Sequence, residues 1–284
     1  MEIAQNRAKN KARITKLLDG LLLYGPFVIA LACFVGCLLI EILRIEFSQA
    51  DRDWFYGTLG TISFYSNILL CVAYGRKYKL SWLRCLVFSL ASFYLLFSYT
   101  SQAWTWIEIE TFGYGAYFSI RSIMFLPLLC WILARFCKVD TLNLCDYLTP
   151  YFVFHHGVVT VACWIQGCCA GGTCSWGLHN PISGLTVFPT QPCIILLSVG
   201  IAFWGLLYSK KHDYKANGKV FANSLCFYGI GRYIIELFSD DPRIWWMLSW
   251  FSICSLMMIA EGFLVRYIIQ NRSCKSYPIM EGEE

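Results

Sequence analysis

The sequence predicts an all-α, polytopic membrane protein with about eight transmembrane helices. Of its 284 residues, 57% are hydrophobic and only 14% are charged, whereas soluble domains carry about 25% charged residues. The apolar residues form long blocks, and a helix of roughly 20 apolar residues can span a bilayer. These observations exclude an ordinary soluble domain and indicate that most of the chain lies in lipid.

A basic tail over residues 1–19 precedes a transmembrane region over 20–270, and a second tail covers 271–284. The first apolar block is long and no small-x-small cleavage site follows it, so we expect a retained anchor and not a cleaved signal peptide. We predict transmembrane helices at about residues 20–43, 56–74, 81–104, 113–136, 146–165, 192–208, 219–238 and 244–269.

Loop charges predict how these helices are oriented, because basic loops stay on the cytoplasmic side of a membrane. Lys and Arg cluster in the N-terminal tail, in every second loop at 76–79, 135–138 and 210–219, and at the C-terminal end over 266–275. We therefore expect a plasma-membrane protein with both termini in the cytoplasm and an outer loop at about 166–190. The net charge of +5 is concentrated in these loops and tails, which argues against nucleic-acid binding.

An unusual stretch opens the outer loop. Residues 163–177 hold four glycines, four cysteines and no charge, and glycine leaves backbone amides uncovered. Cys168, Cys169 and Cys174 could form a disulfide, bind a metal or stay unpaired. We expect a bridge from Cys174 to Cys168 or Cys169, because a disulfide is allowed outside the cell. The spacing matches only weakly the paired Cys-x-x-Cys pattern of zinc sites.

Apart from charges near helix ends, three charged residues lie in the outer halves of predicted helices, where a charge costs at least about 2.5 kcal/mol. Arg232 and Glu236 are spaced i, i+4 and therefore share one helix face, and Arg121 is predicted at a similar depth. One interpretation is structural, with an ion pair that steadies the bundle and an arginine that snorkels to the interface. The other is a phosphate site made by two guanidiniums beside the glycine-rich loop. At that depth the commonest phosphate is a phospholipid headgroup.

Two adjacent histidines, His155 and His156, lie near the middle of the predicted fifth helix. They cannot both share one helix face. One of them could accept a proton in a cavity, whereas the alternative is a histidine that is hydrogen-bonded to another helix.

Several motifs occur in the order found in the prolipoprotein diacylglyceryl transferases, and the chain resembles that family over roughly residues 113–240. The family begins one helix with Asp-x-x-x-Pro, continues with a Gly-Cys-Cys-x-Gly loop, Trp-Gly and Pro-Thr-Gln, and carries Arg-Phe-x-x-Glu in the penultimate helix. The matching residues are Arg121-Ser122, Asp146 with Pro150, Gly167-Cys168-Cys169-Ala170-Gly171, Trp176-Gly177, Pro189-Thr190-Gln191, Arg232-Tyr233-Ile234-Ile235-Glu236 and, more weakly, Tyr56-Gly57. The fold implied is a seven-helix core plus one N-terminal helix.

The resemblance implies transfer of a diacylglyceryl group from phosphatidylglycerol to the lipobox cysteine in the signal-peptide region of a prolipoprotein, with no metal or organic cofactor. Arg232 would bind the phosphate with Arg121 as a second cation, and Glu236 would orient Arg232. His155 or His156 would take the thiol proton, and we select His156 for the catalytic set. The residues expected to contact substrate are Tyr56, Ser122, Gly167, Gly171 and Gln191.

The chain departs from the family pattern at three places. Thr160 stands where the family usually has an essential Arg, and Ile120 or a neighbour stands where it usually has a His. The acidic residue that commonly follows Pro-Thr-Gln is absent after Gln191. The missing Arg and His support one alternative, a catalytically inactive lipid-binding descendant. A further alternative is a small membrane transporter in which Arg121, Arg232 and Glu236 line a path.

Overall fold

The computed structural model describes residues 2–112, 119–241, 243–245 and 248–275. A π-helical segment covers Phe93–Thr100, and 3-10 turns cover Arg76–Tyr78 and Ser119–Phe125. The helices are α1 (Glu2–Ile42), α2 (Gln49–Gly75), α3 (Trp82–Ser92), α4 (Ser101–Phe112), α5 (Leu126–Cys137), α6 (Thr141–Gln166), α7 (Thr190–Lys211), α8 (Lys219–Glu236) and α9 (Trp250–Lys275). The strands form two short antiparallel pairs, β1 (Thr173–His179) with β2 (Thr186–Val187) and β3 (Arg243–Trp245) with β4 (Leu248–Ser249).

The predicted fold class is confirmed, because the described chain is mostly helical and contains several helices that suit a bilayer. Six helical segments in the described ranges are long and apolar enough to cross a membrane. They cover Arg13–Ile42, Gln49–Tyr78, Trp82–Thr111, Thr141–Gln166, Thr190–Lys211 and Trp250–Arg272. The chain is therefore a multi-pass membrane protein.

The other two predicted crossings coincide with α8 and with the segment Ser119–Cys137. α8 is 18 residues long and carries Lys219, Arg232 and Glu236, so its length and composition alone do not identify it as a membrane helix. Residues 113–118 of the predicted fourth crossing lie outside the described residues. The number of eight crossings therefore stays a prediction.

α6 lies at the centre of the bundle. It packs along α2 and α7, while α8 packs along α9. In α6, 78% of the most apolar 18-residue stretch is buried within the protein, whereas in α1 only 17% of the corresponding stretch is buried. Val28, Ile29 and Leu31 of α1 are exposed, so this helix presents an apolar surface suited to lipid while α6 is enclosed by other helices.

A buried carboxylate joins α6 to the start of α8. Asp146 is fully buried, and its Oδ2 accepts a hydrogen bond from Gly218 N at 2.6 Å while its Oδ1 accepts one from Phe221 N at 2.9 Å. The first amides of a helix have no partner within the helix and carry a partial positive charge. Asp146 therefore caps α8 from a different helix and sets the position of α8 along α6.

The two ends of the bundle differ in their loops. At the Asp146 end, the ring centroids of Tyr78 and Tyr214 are 5.2 Å apart, which joins the basic loops that follow α2 and α7. At the opposite end, Gln166 Nε2 donates to Asp53 Oδ1 at 3.0 Å, so the uncharged loop after α6 begins beside the start of α2. This separation of basic and uncharged loops is what the predicted orientation requires. The side of the membrane on which each end lies stays a prediction.

The Asp146 cap can be tested by Asp146→Asn. The amide can accept one of the two backbone hydrogen bonds but turns its own N–H toward the other donor, so we expect the free energy of unfolding to fall by about 1–3 kcal/mol. The matched control is Asp140→Asn. Asp140 caps α6 from an exposed position by accepting from Asn143 N at 2.9 Å, and Asn is an equally good cap. Unfolding in mixed detergent micelles measures both variants, and equal stability would contradict the capping role.

Candidate functional site

The segment between α6 and α7, residues 167–189, is termed the glycine–cysteine loop, and it is bound to the end of α8. Gly172 N donates to Phe238 O at 2.8 Å, and Phe188 N donates to Gly172 O at 2.9 Å. Gly171 forms an isolated antiparallel bridge with Ser239. The rings of Phe188 and Phe238 stack with centroids 4.6 Å apart. The loop is therefore held two to three residues beyond Glu236, the last residue of α8.

The glycines of this loop serve close packing within the protein, and the expected contact of Gly167 and Gly171 with substrate stays a prediction. A Cβ on Gly171 would lie 2.5 Å from Thr190 Oγ1 and 2.7 Å from Phe188 O. Gly167 ends α6 at φ +82°, and a Cβ there would lie 2.7 Å from Pro181 Cγ. Its amide already donates to Cys163 O at 2.9 Å. The space that a side chain at Gly167 or Gly171 would need is thus already occupied by other protein atoms.

Gln191 is buried and holds the loop in place. Its Nε2 donates to Cys168 O at 2.7 Å. Asn180 Nδ2 likewise donates to Gly167 O at 3.0 Å. Gln191 was expected among the substrate contacts, and the structure uses its amide to position the cysteine segment.

The preferred disulfides to Cys174 are wrong, because Cys168, Cys169 and Cys174 are all free thiols. Cys174 Sγ contacts Trp176 O, whereas Cys168 and Cys169 group with Cys163. Hydrogen bonds from the Cys163 and Cys168 thiols, and the nearby Arg232 guanidinium, hold the pKa of the Cys169 thiol well below its ordinary value. The cysteine segment therefore lies close to Arg232.

The i, i+4 spacing of Arg232 and Glu236 does bring the two side chains together. Arg232 Nη2 lies 2.8 Å from Glu236 Oε2, and Glu236 is fully buried. Glu236 Oε1 accepts a hydrogen bond from Ser249 Oγ at 2.6 Å. Ser249 ends β4, so Glu236 is fixed from the adjoining hairpin and in turn orients the guanidinium of Arg232.

Arg121 shares an aromatic neighbour with Arg232. Arg121 Cζ lies 5.8 Å from the centroid of the Phe251 ring, and Arg232 Cζ lies 5.5 Å from the same centroid. Both arginines are buried, and Arg121 also contacts the Cys254 thiol of α9. Guanidinium planes favour contact with aromatic faces. The start of α9 therefore brings together two cations that are more than a hundred residues apart in the chain.

Two other predicted residues have different surroundings. Ser122 is buried, and its Oγ lies 3.0 Å from Ser101 Oγ, which ties the turn that carries Arg121 to α4. Tyr56 is half-buried near the start of α2, one turn beyond Asp53. The side chain of Ile120 lies outside the described residues.

The two histidines have separate surroundings, as their adjacency requires. His155 Nδ1 lies 2.8 Å from Ser63 Oγ, and its ring packs against Phe64 and Phe93. The His156 ring lies 5.7 Å from the Tyr228 ring, and Arg232 is close enough to act on it electrostatically. Of the two histidines, His156 is therefore the one that lies near Arg232.

Thr160 cannot perform the task of an arginine. It is buried, and its Oγ1 donates to His156 O at 2.8 Å within α6. It lies one turn beyond His156, on the same side of the helix. Of these two side chains, His156 is therefore the one that can accept a proton.

Sequence reasoning missed Ser249, Phe251 and Tyr228, which surround the arginines. Nothing in an isolated sequence distinguishes Phe251 from the many other aromatic residues. Cys163 was noticed in the glycine-rich stretch, but its grouping with Cys168 and Cys169 depends on the turn at Gly167.

Comparisons with known proteins agree with these features. The family model described as prolipoprotein diacylglyceryl transferase matches residues 17–268. A protein of Clostridium tetani named phosphatidylglycerol–prolipoprotein diacylglyceryl transferase is 30% identical over 141 residues, which is 46% of this chain and 56% of the relative. A similarly named protein of Clostridium perfringens is 28% identical over 136 residues, 45% of this chain and 52% of the relative. The chain thus matches about half the length of these curated relatives.

The packing of the glycine–cysteine loop can be tested by Gly171→Ala. The new Cβ would meet the carbonyl oxygen of Phe188, which cannot rotate away, so we expect a loss of about 1–3 kcal/mol in the free energy of unfolding. Gly200→Ala in α7 is the control, because nothing lies within 4 Å of its added Cβ. Denaturation in micelles measures both variants, and a Gly171→Ala protein as stable as the control would refute the packing.

Proposed function

Because the chain belongs to the prolipoprotein diacylglyceryl transferase family, we propose that it transfers a diacylglyceryl group from phosphatidylglycerol to the lipobox cysteine thiol of prolipoproteins. The names of the two relatives support this activity. The observation that carries the proposal within this chain is the convergence of Arg121 and Arg232 on Phe251, beside the glycine–cysteine loop.

Two buried guanidiniums are suited to the phosphate of a lipid headgroup. Guanidinium binds phosphate through paired N–H donors, and such donors act strongly where water is excluded. Arg232 is oriented by Glu236, so its guanidinium is held in a defined direction. We assign phosphate binding to Arg232 and Arg121, with Glu236 as a positioning residue.

In the proposed reaction the substrate thiolate attacks the glyceryl carbon that carries the phosphate. A carbon–sulfur bond forms, and the carbon–oxygen bond to phosphate breaks. Glycerol phosphate leaves with the bonding electrons, and the charge that grows on its oxygen is stabilised by Arg232. His156 takes the proton of the thiol, from its position beside Tyr228 and one turn from Thr160.

The expected substrate contacts receive more specific roles. Gly167, Gly171 and Gln191 shape and hold the loop that borders the site, and Ser122 holds the turn that carries Arg121. Tyr56 lies at the end of α2 that faces this loop, where it would meet the headgroup or the peptide.

We further propose that both termini lie in the cytoplasm, which places the site toward the outer leaflet of the plasma membrane.

The second candidate is a lipid-binding family member without turnover. Thr160 favours this alternative, because its neutral hydroxyl is occupied by a hydrogen bond within α6 at the position where the family usually has an essential arginine. Both candidates predict lipid binding at the arginines, and only the first predicts a modified thiol.

The arginine assignment predicts that Arg232→Ala slows release of glycerol phosphate by about a hundredfold or more, because a donor to the developing charge is lost. Purified protein would be given phosphatidylglycerol and a lipobox peptide, and released glycerol phosphate would be measured. Arg266→Ala is the control, since Arg266 lines a cleft with Lys219 at the other end of α8. Lipid binding with no release by the unsubstituted protein would favour the second candidate.

The histidine assignment predicts different defects for two adjacent substitutions. His156→Gln should lower the rate by about a hundredfold or more, because it removes the proton acceptor. His155→Gln should lower stability through its lost contact with Ser63 while leaving the rate per folded molecule within a few-fold. Turnover and thermal unfolding would be measured for both, and equal rate losses would argue against a base at His156.

A further inference from the structure

Three cysteine thiols meet at the end of α6. Cys163 lies in its last turn, and Cys168 and Cys169 follow directly after Gly167. The three sulfur atoms all lie within 4.8 Å of one another. Cys163 and Cys168 are partly buried and Cys169 is exposed, so the cluster is enclosed on one side and accessible on the other.

The backbone around the cluster is built to bring these thiols together. Gly167 adopts φ +82° and reverses the chain, and Cys169 adopts φ +57°. A positive φ at a residue other than glycine costs about 1 kcal/mol or more and persists only where surrounding contacts enforce it. Those contacts are present, because Gln191 holds Cys168 O and Asn180 holds Gly167 O. The thiols are therefore held in place before any ligand arrives.

The spacing of the sulfurs suits a thiophilic cation. A zinc–thiolate bond of about 2.3 Å with tetrahedral angles separates the sulfur ligands by roughly 3.8 Å, so side-chain rotation alone can bring the three thiols to binding distance. Among the described residues, no fourth His, Cys, Asp or Glu joins this group. Zinc sites with three protein ligands keep one position open for water or substrate.

We propose that Cys163, Cys168 and Cys169 bind one thiophilic divalent cation of the zinc type, with an open coordination position on the exposed side of the cluster. Three thiolates and a divalent cation carry a net charge of −1. Arg232, which acts electrostatically on Cys169, offsets that charge. The site thus lies near Arg232.

The open position suits the thiol of the lipobox cysteine, an assignment that rests on the proposed function. On binding, the thiol would release its proton to His156 and bind as a thiolate. That thiolate then attacks the glyceryl carbon as the bond from carbon to the phosphate oxygen breaks. Coordination makes a thiol a nucleophile at neutral pH. The cation would thereby supply a positive charge next to the reacting thiolate, which the neutral side chain of Thr160 does not.

Metal binding is tested on the full chain, purified in detergent under anaerobic conditions and titrated with Zn²⁺ and then Co²⁺ in the absence of lipid and peptide. We expect about one equivalent per chain and the sulfur-to-cobalt charge-transfer band of a thiolate site. Cys163→Ser, Cys168→Ser and Cys169→Ser should each abolish that band. Cys174→Ser and Cys193→Ser should retain it, since neither belongs to the cluster.

Binding that persists in all three cluster variants would overturn the site, and so would a disulfide among the three cysteines. Because a cluster variant could misfold, the unsubstituted protein supplies a second measurement. Zn²⁺ should slow alkylation of Cys169 at least tenfold relative to Cys174, and equal rates would count against the site.

The substrate assignment has its own readout. A lipobox peptide should shift the cobalt band, and the same peptide with Ser in place of Cys should not. No shift would refute the open-position role while leaving metal binding intact. A normal shift without release of glycerol phosphate would instead contradict the transferase reaction, so the two failures can be distinguished.

Discussion

The buried carboxylate of Asp146 is the interaction on which the arrangement of the bundle depends. It accepts hydrogen bonds from Gly218 N and Phe221 N, so the first turn of α8 is fixed against α6. A helix rises about 1.5 Å per residue, so Arg232 lies roughly 20 Å from this cap. Any shift of α8 at Asp146 would move Arg232 by the same amount relative to His156 and the cysteines.

The opposite end of α8 is fixed by the glycine–cysteine loop. Gly172 N binds Phe238 O and Gln191 holds Cys168 O, so the loop, the last turn of α8 and the start of α7 form one unit. The hydrogen bond from Ser249 to Glu236 adds the β3–β4 hairpin to this unit. Arg232 can therefore remain buried, because its charge is paired with Glu236 and its plane lies against Phe251.

Patterns local in sequence predicted the fold class and part of the site, because hydropathy and the i, i+4 spacing of Arg232 and Glu236 depend only on neighbouring residues. The partners of Asp146 lie more than seventy residues away, and no periodicity identifies them. The glycines were interpreted as an open backbone, yet Gly171 faces Phe188 and Thr190, which only the folded loop brings near. The disulfide preference failed for the same reason, since the turn at Gly167 directs Cys168 and Cys169 toward Cys163 and away from Cys174.

The central claim is that the buried arginines and the neighbouring loop form a site that attaches a lipid to a thiol. The most direct measurement is the mass of a lipobox peptide after incubation with the purified chain and phosphatidylglycerol. We predict a mass increase equal to one diacylglyceryl group, with the thioether located on the lipobox cysteine by fragmentation. An unmodified peptide in the presence of bound phosphatidylglycerol would contradict the claim.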